Sequence, residues 1–330
     1  MHVIPPKLQK RDNIRIIAPA RSLSMIGEQQ IQYSTIKLEE IGLNVSLSEN
    51  VYESDHFISS SVKSRISDIH SAFEDQTVKA ILTVIGGFNS NQLLSHLDYD
   101  LIKNNPKIFC GYSDITALSN AIYTKTGLIT YSGPHFTTFG MLKGLEYTVE
   151  YFMKCLFNEK PYEINPSKEW SDDAWFLNQE DRVFIHNDGP MVIREGEAEG
   201  ISLGGNLCTL QLLHGTEFMP CLKNSILFME DDVLNGDYFD VSFDRDLQSL
   251  IHQPGFPNVK GIVIGRMMVS SQLTIDNIKS IIDSKDELSH IPIIYGVDFG
   301  HTTPHITFPI GGKVSFKAKD GDVSLKFLKF

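Results

Sequence analysis

Ser113 stands where a serine could serve as a nucleophile. It follows the apolar run KIFCG and opens onto the helical pattern DITALSNAIYTKTG, within residues 107–127. A sharp turn from strand to helix, relieved by Gly111, lifts a serine hydroxyl clear of a sheet, and the first N–H groups of the helix then face an oxyanion formed beside it. Ser or Asp after a strand is also a common N-terminal helix cap, and on residue types alone capping is the commoner role.

A pair of glycines, Gly86–Gly87, forms the second segment that such chemistry would use. The pair ends the apolar run KAILTVIGG. Glycines let a loop backbone approach a ligand closely and present its N–H groups. A tight turn without a ligand is the simpler interpretation of the pair taken alone.

A serine nucleophile needs a base, and the base needs an acid that orients it. His301 leaves the end of an apolar strand beside Gly300, and Glu230 closes the apolar run SILFME. We expect Glu230 to point inward, and Asp231 and Asp232 to lie in a solvated loop. A neutral histidine held by a carboxylate keeps the tautomer that general-base catalysis requires. The residues by themselves therefore suggest a Ser–Glu–His hydrolase.

A metal site is the alternative use of these histidines. His301 and His305 have the His-x3-His spacing that binds zinc when both residues lie on a helix. Pro304 disfavours a helix here. The sequence therefore predicts neither a metal nor another cofactor.

Strand and helix patterns alternate about five times before residue 135, and the strands are nearly continuous apolar runs. Such strands are buried on both faces of a parallel sheet, where functional groups gather at the carboxyl ends. The sequence predicts an α/β fold: a Rossmann- or flavodoxin-like domain over residues 1–160, a connection over 161–189, and a β-rich domain over 190–330 that is richer in antiparallel strands.

Composition restricts the partners and the compartment. The formal charge of −12 disfavours nucleic acid as a partner. No run of 18 apolar residues and no signal-peptide pattern occurs, so we expect a protein that neither crosses a membrane nor leaves the cytoplasm. Four cysteines without CxxC spacing are typical of reduced thiols there.

Five motifs in this order resemble the LD-carboxypeptidase family of serine peptidases, over residues 13 to 318. The motifs are TVIGGFNSNQLL, GYSDIT, GGNLCTLQLLHGT, ILFMEDD and DFGHTTPHITFPIGG. The resemblance implies that Ser113 is the nucleophile, His301 the general base and Glu230 its orienting acid. It also implies an oxyanion hole from the N–H groups of Gly87 and Asp114, a site between two domains, and a homodimer.

The segments IGGFNSNQLL and SDDAWFLNQEDR look more like the microcin C immunity branch of this family than like its murein peptidases. The expected substrate is then a peptidyl-nucleotide, cut beside a terminal aspartate. Trp175 would stack on the nucleobase, and Asn206 would lie near the substrate. Trp175 as a structural anchor is the alternative. Release of D-alanine from a murein tetrapeptide is the second functional hypothesis, and a non-catalytic protein that binds small molecules is the third.

Overall fold

The apolar runs of the N-terminal half form short buried strands that alternate with helices. The computed structural model describes residues 2–233 and 236–330. The strands are β1 (Asn13–Ile17), β2 (Asn44–Leu47), β3 (Val78–Thr83), β4 (Ile108–Cys110) and β5 (Thr130–Ser132). The helices are α1 (Glu28–Glu40), α2 (Val62–Glu74), α3 (Tyr99–Asn104), α4 (Ile115–Thr126) and α5 (Glu146–Leu156).

The remaining residues form more strands than helices. The strands are β6 (Tyr162–Ile164), β7 (Glu169–Trp170), β8 (Ile185–His186), β9 (Met191–Arg194), β10 (Gly196–Asn206), β11 (Ser225–Glu230), β12 (Gly261–Gly265), β13 (Ile293–Val297), β14 (Phe308–Ile310), β15 (Lys313–Lys319) and β16 (Asp322–Lys329). The helices are α6 (Leu207–Gln211), α7 (Phe239–Ile251) and α8 (Ile275–Asp283).

The first sheet has the order β14-β5-β4-β3-β1-β2. Strands β1 to β5 are parallel, and β14 adds antiparallel to the edge strand β5. The strand β14 comes from the C-terminal part of the chain, so the first sheet is completed by a segment more than 170 residues beyond β5 in sequence.

The second sheet has the order β6-β16-β15-β10-β11-β12-β13-β9. Its four strands β10 to β13 are parallel and are connected by α6, α7 and α8, while the other pairings are antiparallel. The predicted α/β class, with a parallel N-terminal sheet and a separate β-rich C-terminal sheet, is confirmed. The second sheet is mixed because its central strands follow the same strand–helix alternation as the first.

Helix α4 holds the two sheets together. The Asn120 side chain accepts a hydrogen bond from the N–H of Gly204 at 3.2 Å and donates one to its carbonyl at 2.9 Å. The N–H of Asn206 donates to the Thr116 hydroxyl at 3.0 Å. Gly205 has φ +129°, and a Cβ there would lie 2.6 Å from Thr116 Oγ1, so the strand reaches the helix only because glycine stands at this position.

No helix within residues 2–233 and 236–330 has the length and apolar character needed to cross a membrane.

Candidate active site

Four segments that follow strands of the two sheets meet at one place. Gly86–Gly87 follows β3, Ser113 follows β4, Glu230 is the last residue of β11, and His301 lies four residues after β13. Carboxyl ends of parallel strands are the usual position of functional groups in such sheets. The first sheet thus contributes the serine, and the second contributes the carboxylate and the imidazole.

Two hydrogen bonds connect the side chains of Glu230, His301 and Ser113. His301 Nδ1 lies 2.7 Å from Glu230 Oε2, and His301 Nε2 lies 3.0 Å from Ser113 Oγ. Glu230 is 2% exposed. A carboxylate only accepts, so Nδ1 carries the hydrogen of a neutral ring and Nε2 faces the hydroxyl with its lone pair. This arrangement can remove a proton from Ser113.

Ser113 does not cap the helix that follows it. The N-terminal cap of α4 is Asp114, and the Ser113 hydroxyl contacts His301 instead. Ser113 has φ +58°, a left-handed conformation that costs a non-glycine residue about 1–2 kcal/mol. Strain of this kind is typical of a turn that presents a side chain at a functional site.

Asp114 ties the turn after β4 to the loop after β3. Its buried carboxylate accepts hydrogen bonds from the N–H groups of Asn89 at 3.0 Å and Ser90 at 2.9 Å, and its carbonyl accepts one from the Ser90 hydroxyl at 2.6 Å. Burial raises the pKa of Asp114 despite these hydrogen bonds, which act in the opposite direction. The loop that carries the two glycines is therefore fixed relative to Ser113.

Of the predicted oxyanion-hole donors, Asp114 follows Ser113 directly in the chain and Gly87 lines the same cavity as Ser113. Within residues 2–233 and 236–330, the N–H groups of Gly87 and Asp114 donate no hydrogen bond to the protein. Gly86 is the residue packed against Ser113, because a Cβ on it would lie 3.0 Å from the Ser113 Oγ. A larger residue at position 86 would crowd the hydroxyl. The role of Gly87 and Asp114 as donors stays a prediction.

Negative charge surrounds the imidazole. Burial alone lowers the pKa of His301, but the charge of Glu230, followed by those of Asp232 and Asp231, outweighs it and raises the pKa to about 9. Asp232 Oδ2 lies 3.9 Å from His301 Nε2. The imidazolium that forms when His301 accepts a proton is thereby stabilised.

Asp231 differs from expectation, because it is 5% exposed and not part of a solvated loop. Its Oδ1 accepts hydrogen bonds from the Asn206 amide at 3.3 Å and from the N–H of Asp232 at 3.0 Å. Burial, together with the charge of Glu230, raises the pKa of Asp231 to about 7. The prediction of a solvated Asp231 was wrong, because the side chain is buried and accepts a hydrogen bond from Asn206, which lies far from it in sequence. That contact is not visible in the local sequence.

The raised pKa of His301 predicts the pH dependence of the reaction. The imidazole must be neutral to accept a proton, so we expect kcat/KM to rise with pH through neutrality and to level off above about pH 9. Replacing Asp232 by Asn removes one negative charge, which lowers the pKa of His301 and moves the rise to lower pH. Steady-state pH profiles of both proteins measure this shift. An unmoved profile in the Asp232→Asn variant would contradict the electrostatic account.

A cavity of about 420 Å³ opens beside the Ser113 hydroxyl, and we call it the serine cavity. Its described lining consists of Arg21, Ile85, Gly86, Gly87, Phe88, Tyr112, Ser113, His135, Asp232, Val233, Met268 and His301. No motif pointed directly to Arg21, Tyr112 or His135, although each lies a few residues after a strand of the first sheet. Their position at carboxyl ends was the signal available.

Trp175 lines a second cavity of about 330 Å³, which we call the tryptophan cavity. Both cavities share Ile85, Tyr112, His135, Met268 and His301 as wall residues. The segment that carries Trp175 pairs with the loop after His301: Ser171 and Thr303 exchange backbone hydrogen bonds of 2.7 and 2.8 Å. The structure thus places Trp175 in a cavity whose wall also includes His301.

Asn206 is buried and does not line the described wall of either cavity. It is 1% exposed, and its Oδ1 caps α6 by accepting a hydrogen bond from the N–H of Thr209 at 3.0 Å. Its amide group donates a hydrogen bond to Asp231. Contact of Asn206 with substrate therefore stays a prediction.

Two further histidines are buried beside the site. His135 Nδ1 bonds the Thr83 hydroxyl at 2.8 Å, and burial holds the pKa of His135 well below its usual value. Burial also lowers the pKa of His305 to about 4. Residues 301–305 form no helix, so His301 and His305 do not have the geometry of a helical zinc pair.

One group of potential metal ligands occurs in the described residues. It comprises Cys208, Asp231 and Asp232, whose ligand atoms lie within 4.8 Å of one another. Burial and the adjacent carboxylates raise the pKa of Cys208, which opposes the thiolate that a metal would need. The Cys208 thiol instead contacts the Asn206 side-chain oxygen at 3.0 Å.

Comparison with known proteins identifies the class of enzyme. The family model of the LD-carboxypeptidase N-terminal domain matches residues 14–133, and the model of the LD-carboxypeptidase C-terminal domain matches residues 199–316. This chain belongs to the LD-carboxypeptidase family and is a serine-type carboxypeptidase. The family resemblance of the five motifs is confirmed.

Curated relatives cover nearly the whole chain. "Putative carboxypeptidase YocD" of Bacillus subtilis is 57% identical over 96% of this chain and 96% of its own. "Microcin C7 self-immunity protein MccF" of Escherichia coli is 32% identical over 83% of this chain and 81% of its own. "Probable murein peptide carboxypeptidase" of Bacillus subtilis is 29% identical over 96% of this chain and 92% of its own.

Solved structures of MccF-like proteins share the fold. The MccF-like protein of Bacillus anthracis superposes with a TM-score of 0.99, at 54% identity, over 99% of this chain and all of that chain. MccF in complex with aspartyl sulfamoyl adenosine superposes with a TM-score of 0.86, at 27% identity, over 99% of both chains.

Proposed function

We propose that this protein hydrolyses the amide bond that joins a terminal aspartate to a nucleotide, as an enzyme of the microcin C immunity type. The observation that carries the proposal is the tryptophan cavity, which places Trp175 beside the wall formed by Tyr112 and His301. A flat aromatic ring suits stacking on a nucleobase. The MccF complex with aspartyl sulfamoyl adenosine supports the same class of substrate here.

In the proposed mechanism Ser113 attacks the carbonyl carbon. Its Oγ forms the new bond to carbon while His301 Nε2, 3.0 Å away, takes the hydroxyl proton. Glu230 at 2.7 Å stabilises the imidazolium. The carbonyl oxygen becomes an oxyanion and accepts hydrogen bonds from the N–H groups of Gly87 and Asp114.

The second half of the reaction regenerates the enzyme. The carbon–nitrogen bond breaks, and His301 gives its proton to the leaving nitrogen, which departs with the nucleotide. Water then attacks the Ser113 ester while His301 takes a proton from it. Release of the acid returns that proton to the Ser113 oxygen.

A paired assay on the purified protein tests this proposal. Mass spectrometry follows cleavage of an aspartyl sulfamoyl adenosine conjugate and, in parallel, of L-Ala-γ-D-Glu-meso-diaminopimelate-D-Ala. The proposal predicts release of aspartate from the conjugate. Release of D-alanine alone would overturn it and would assign the protein to murein peptides.

Murein tetrapeptide hydrolysis is the second candidate function. The Bacillus subtilis relative named for murein peptides covers 96% of this chain at 29% identity, and the proposed nucleophile chemistry serves a peptide amide equally well. A tetrapeptide contains no aromatic base. The contribution of Trp175 therefore separates the two substrates.

Replacing Trp175 by Ala is expected to lower kcat/KM for the nucleotide conjugate by about 5- to 150-fold, the value of one aromatic–base stack. Trp175→Phe keeps an aromatic face and should retain most of the activity. Activity on a tetrapeptide, if the protein has any, should stay unchanged in both variants. Steady-state kinetics on the two substrates provide the measurement.

A variant of Leu177 is the matched control for this experiment. Leu177 lies two residues further along the same loop, is 79% exposed and does not line the described wall of either cavity. Leu177→Ala should leave both activities unchanged. Equal losses in Trp175→Ala and Leu177→Ala would mean that the loop as a whole, and not ring stacking, determines activity.

A further inference from the structure

Arg21 lies in the wall of the serine cavity, close to the two glycines. Its N–H donates to the carbonyl of Gly86 at 3.3 Å, and its backbone pairs with Ser59. A Cβ on Gly87 would lie 3.2 Å from Arg21 Cγ. The backbone of Arg21 is thereby fixed between the end of β1 and the glycine loop, so its side chain starts at the cavity edge.

The guanidinium of Arg21 stacks on an aromatic ring and has no anionic partner among the described residues. Its central carbon lies 4.4 Å from the ring centre of Phe88, which is 53% exposed. Stacking covers the flat face of a guanidinium and leaves the N–H groups at its edge free. Arg21 Nε is buried without a hydrogen-bond acceptor, and Arg21 forms no ion pair within residues 2–233 and 236–330.

Four other arginines of the described residues have carboxylate partners, and the buried Arg65 donates instead to carbonyl and amide oxygens. The pairs are Arg15–Asp75, Arg182–Asp173, Arg194–Asp283 and Arg266–Asp298, at 2.9 to 3.1 Å. The chain has a net charge of −12, so acidic partners are abundant. The Nε atoms of Arg65, Arg194 and Arg266 also lack an acceptor, but each of those guanidinium groups donates hydrogen bonds through its other nitrogens. The Arg21 guanidinium donates none within the described residues. An unpaired buried donor is unfavourable, so its occurrence in the cavity beside Ser113 points to a partner that arrives with the substrate.

We propose that Arg21 binds a free carboxylate of the substrate. This inference rests on the proposed function and deepens it, because it defines which acids the site accepts. A guanidinium edge binds a carboxylate through two parallel hydrogen bonds. Arg21 is the residue in the described wall of this cavity that offers such an edge.

Two sources of this carboxylate exist, and they lie on opposite sides of the bond that breaks. One is the side chain of an aspartyl group that acylates Ser113. The other is the terminal carboxylate of an amino acid that leaves, as in a murein tetrapeptide. Substrate pairs that differ only in this group distinguish the sources: aspartyl against asparaginyl sulfamoyl adenosine, and tetrapeptide ending in D-alanine against its D-alaninamide form.

The decisive variant is Arg21→Gln, measured on both members of each pair. Wild-type enzyme should prefer the aspartyl over the asparaginyl conjugate by about 100-fold, the scale of losing one partner of a desolvated charge pair. Arg21→Gln should abolish this preference by slowing the aspartyl conjugate while leaving the asparaginyl conjugate nearly unchanged. Arg21→Lys keeps the charge without the planar edge and should retain an intermediate preference.

Arg11→Gln is the matched control for the change of charge. Arg11 is exposed, precedes β1 at the end opposite to the site, and forms no ion pair in the described ranges. This variant should keep the wild-type preference. Thermal melting of all three variants shows whether each one folds, and only folded variants enter the comparison.

The outcomes separate this inference from the proposed function. The inference is overturned if the wild type cleaves the aspartyl conjugate and Arg21→Gln slows both members of that pair equally. Arg21 then does not bind the substrate's carboxylate. If Arg21→Gln loses only the preference for the tetrapeptide that ends in D-alanine over its D-alaninamide form, Arg21 binds the terminal carboxylate of the amino acid that leaves. Cleavage of neither conjugate by the wild type overturns the proposed function, and the tetrapeptide pair then still tests Arg21.

Discussion

The Ser113→Ala variant is expected to lose at least about 10⁴-fold in kcat, since removal of the nucleophile from a serine triad leaves only binding and oxyanion stabilisation. Within the part of the chain that the structure describes, the side chain makes one polar contact, to His301 at 3.0 Å, so we expect the fold to be preserved without it. Alanine has the same backbone strain as serine at φ +58°, so the substitution adds no strain. Kinetics on the cleaved substrate and a thermal melt provide the measurement.

Ser119→Ala is the matched control for that experiment. Ser119 lies in the same helix α4, and its buried hydroxyl has no hydrogen-bond partner in the described ranges. The variant should keep full activity, because only an unpaired hydroxyl is lost. A serine-directed fluorophosphonate should label the wild type and Ser119→Ala, and should not label Ser113→Ala. Near wild-type turnover in Ser113→Ala would refute the nucleophile assignment.

Replacing Glu230 by Gln should cost about 10³- to 10⁴-fold in kcat, the scale seen when the acid of a triad becomes an amide. The amide can donate to His301 Nδ1, which places the ring hydrogen on Nε2 and removes the lone pair that faces Ser113. The volume is unchanged, which matters because Gly300 packs tightly: a Cβ there would lie 2.6 Å from Glu230 Oε2. The structure should therefore be preserved.

Two measurements separate this electrostatic effect from a general loss of structure. The pH profile of Glu230→Gln should lose the rise toward pH 9, because the charge that raises the pKa of His301 is gone. Glu199→Gln is the control: its carboxylate pairs with Lys313 on the surface, and such pairs contribute about 0–1 kcal/mol. An active Glu230→Gln enzyme with an unchanged pH profile would contradict the proposed role of Glu230.

The residues of the site could be found from sequence where the signal is local. Ser113, Glu230 and His301 each follow or end an apolar strand, and the carboxyl ends of parallel strands converge. Their roles came from the ordered motifs of a family, not from these positions. The distances between them depend on how the two sheets pack, and no local pattern encodes those.

The features that sequence did not predict arise from contacts distant in the chain. Asp231 is buried and accepts a hydrogen bond at 3.3 Å from Asn206, which belongs to the neighbouring strand. The strand β14 contains a proline and is only three residues long, so its pairing with β5 has no signature in the sequence. Arg21 looks like an ordinary surface residue until the glycine loop is placed beside it.

The strand β14 restricts how this enzyme can be recombined with its relatives. It lies in the C-terminal part of the chain but completes the first sheet beside β5. An N-terminal half expressed alone would leave the edge of β5 unpaired, and an open edge invites pairing with other chains. A chimaera that takes its C-terminal half from another family member must therefore match residues 308–310 to the β5 of its new host, and the quality of that match will decide its solubility before any question of specificity arises.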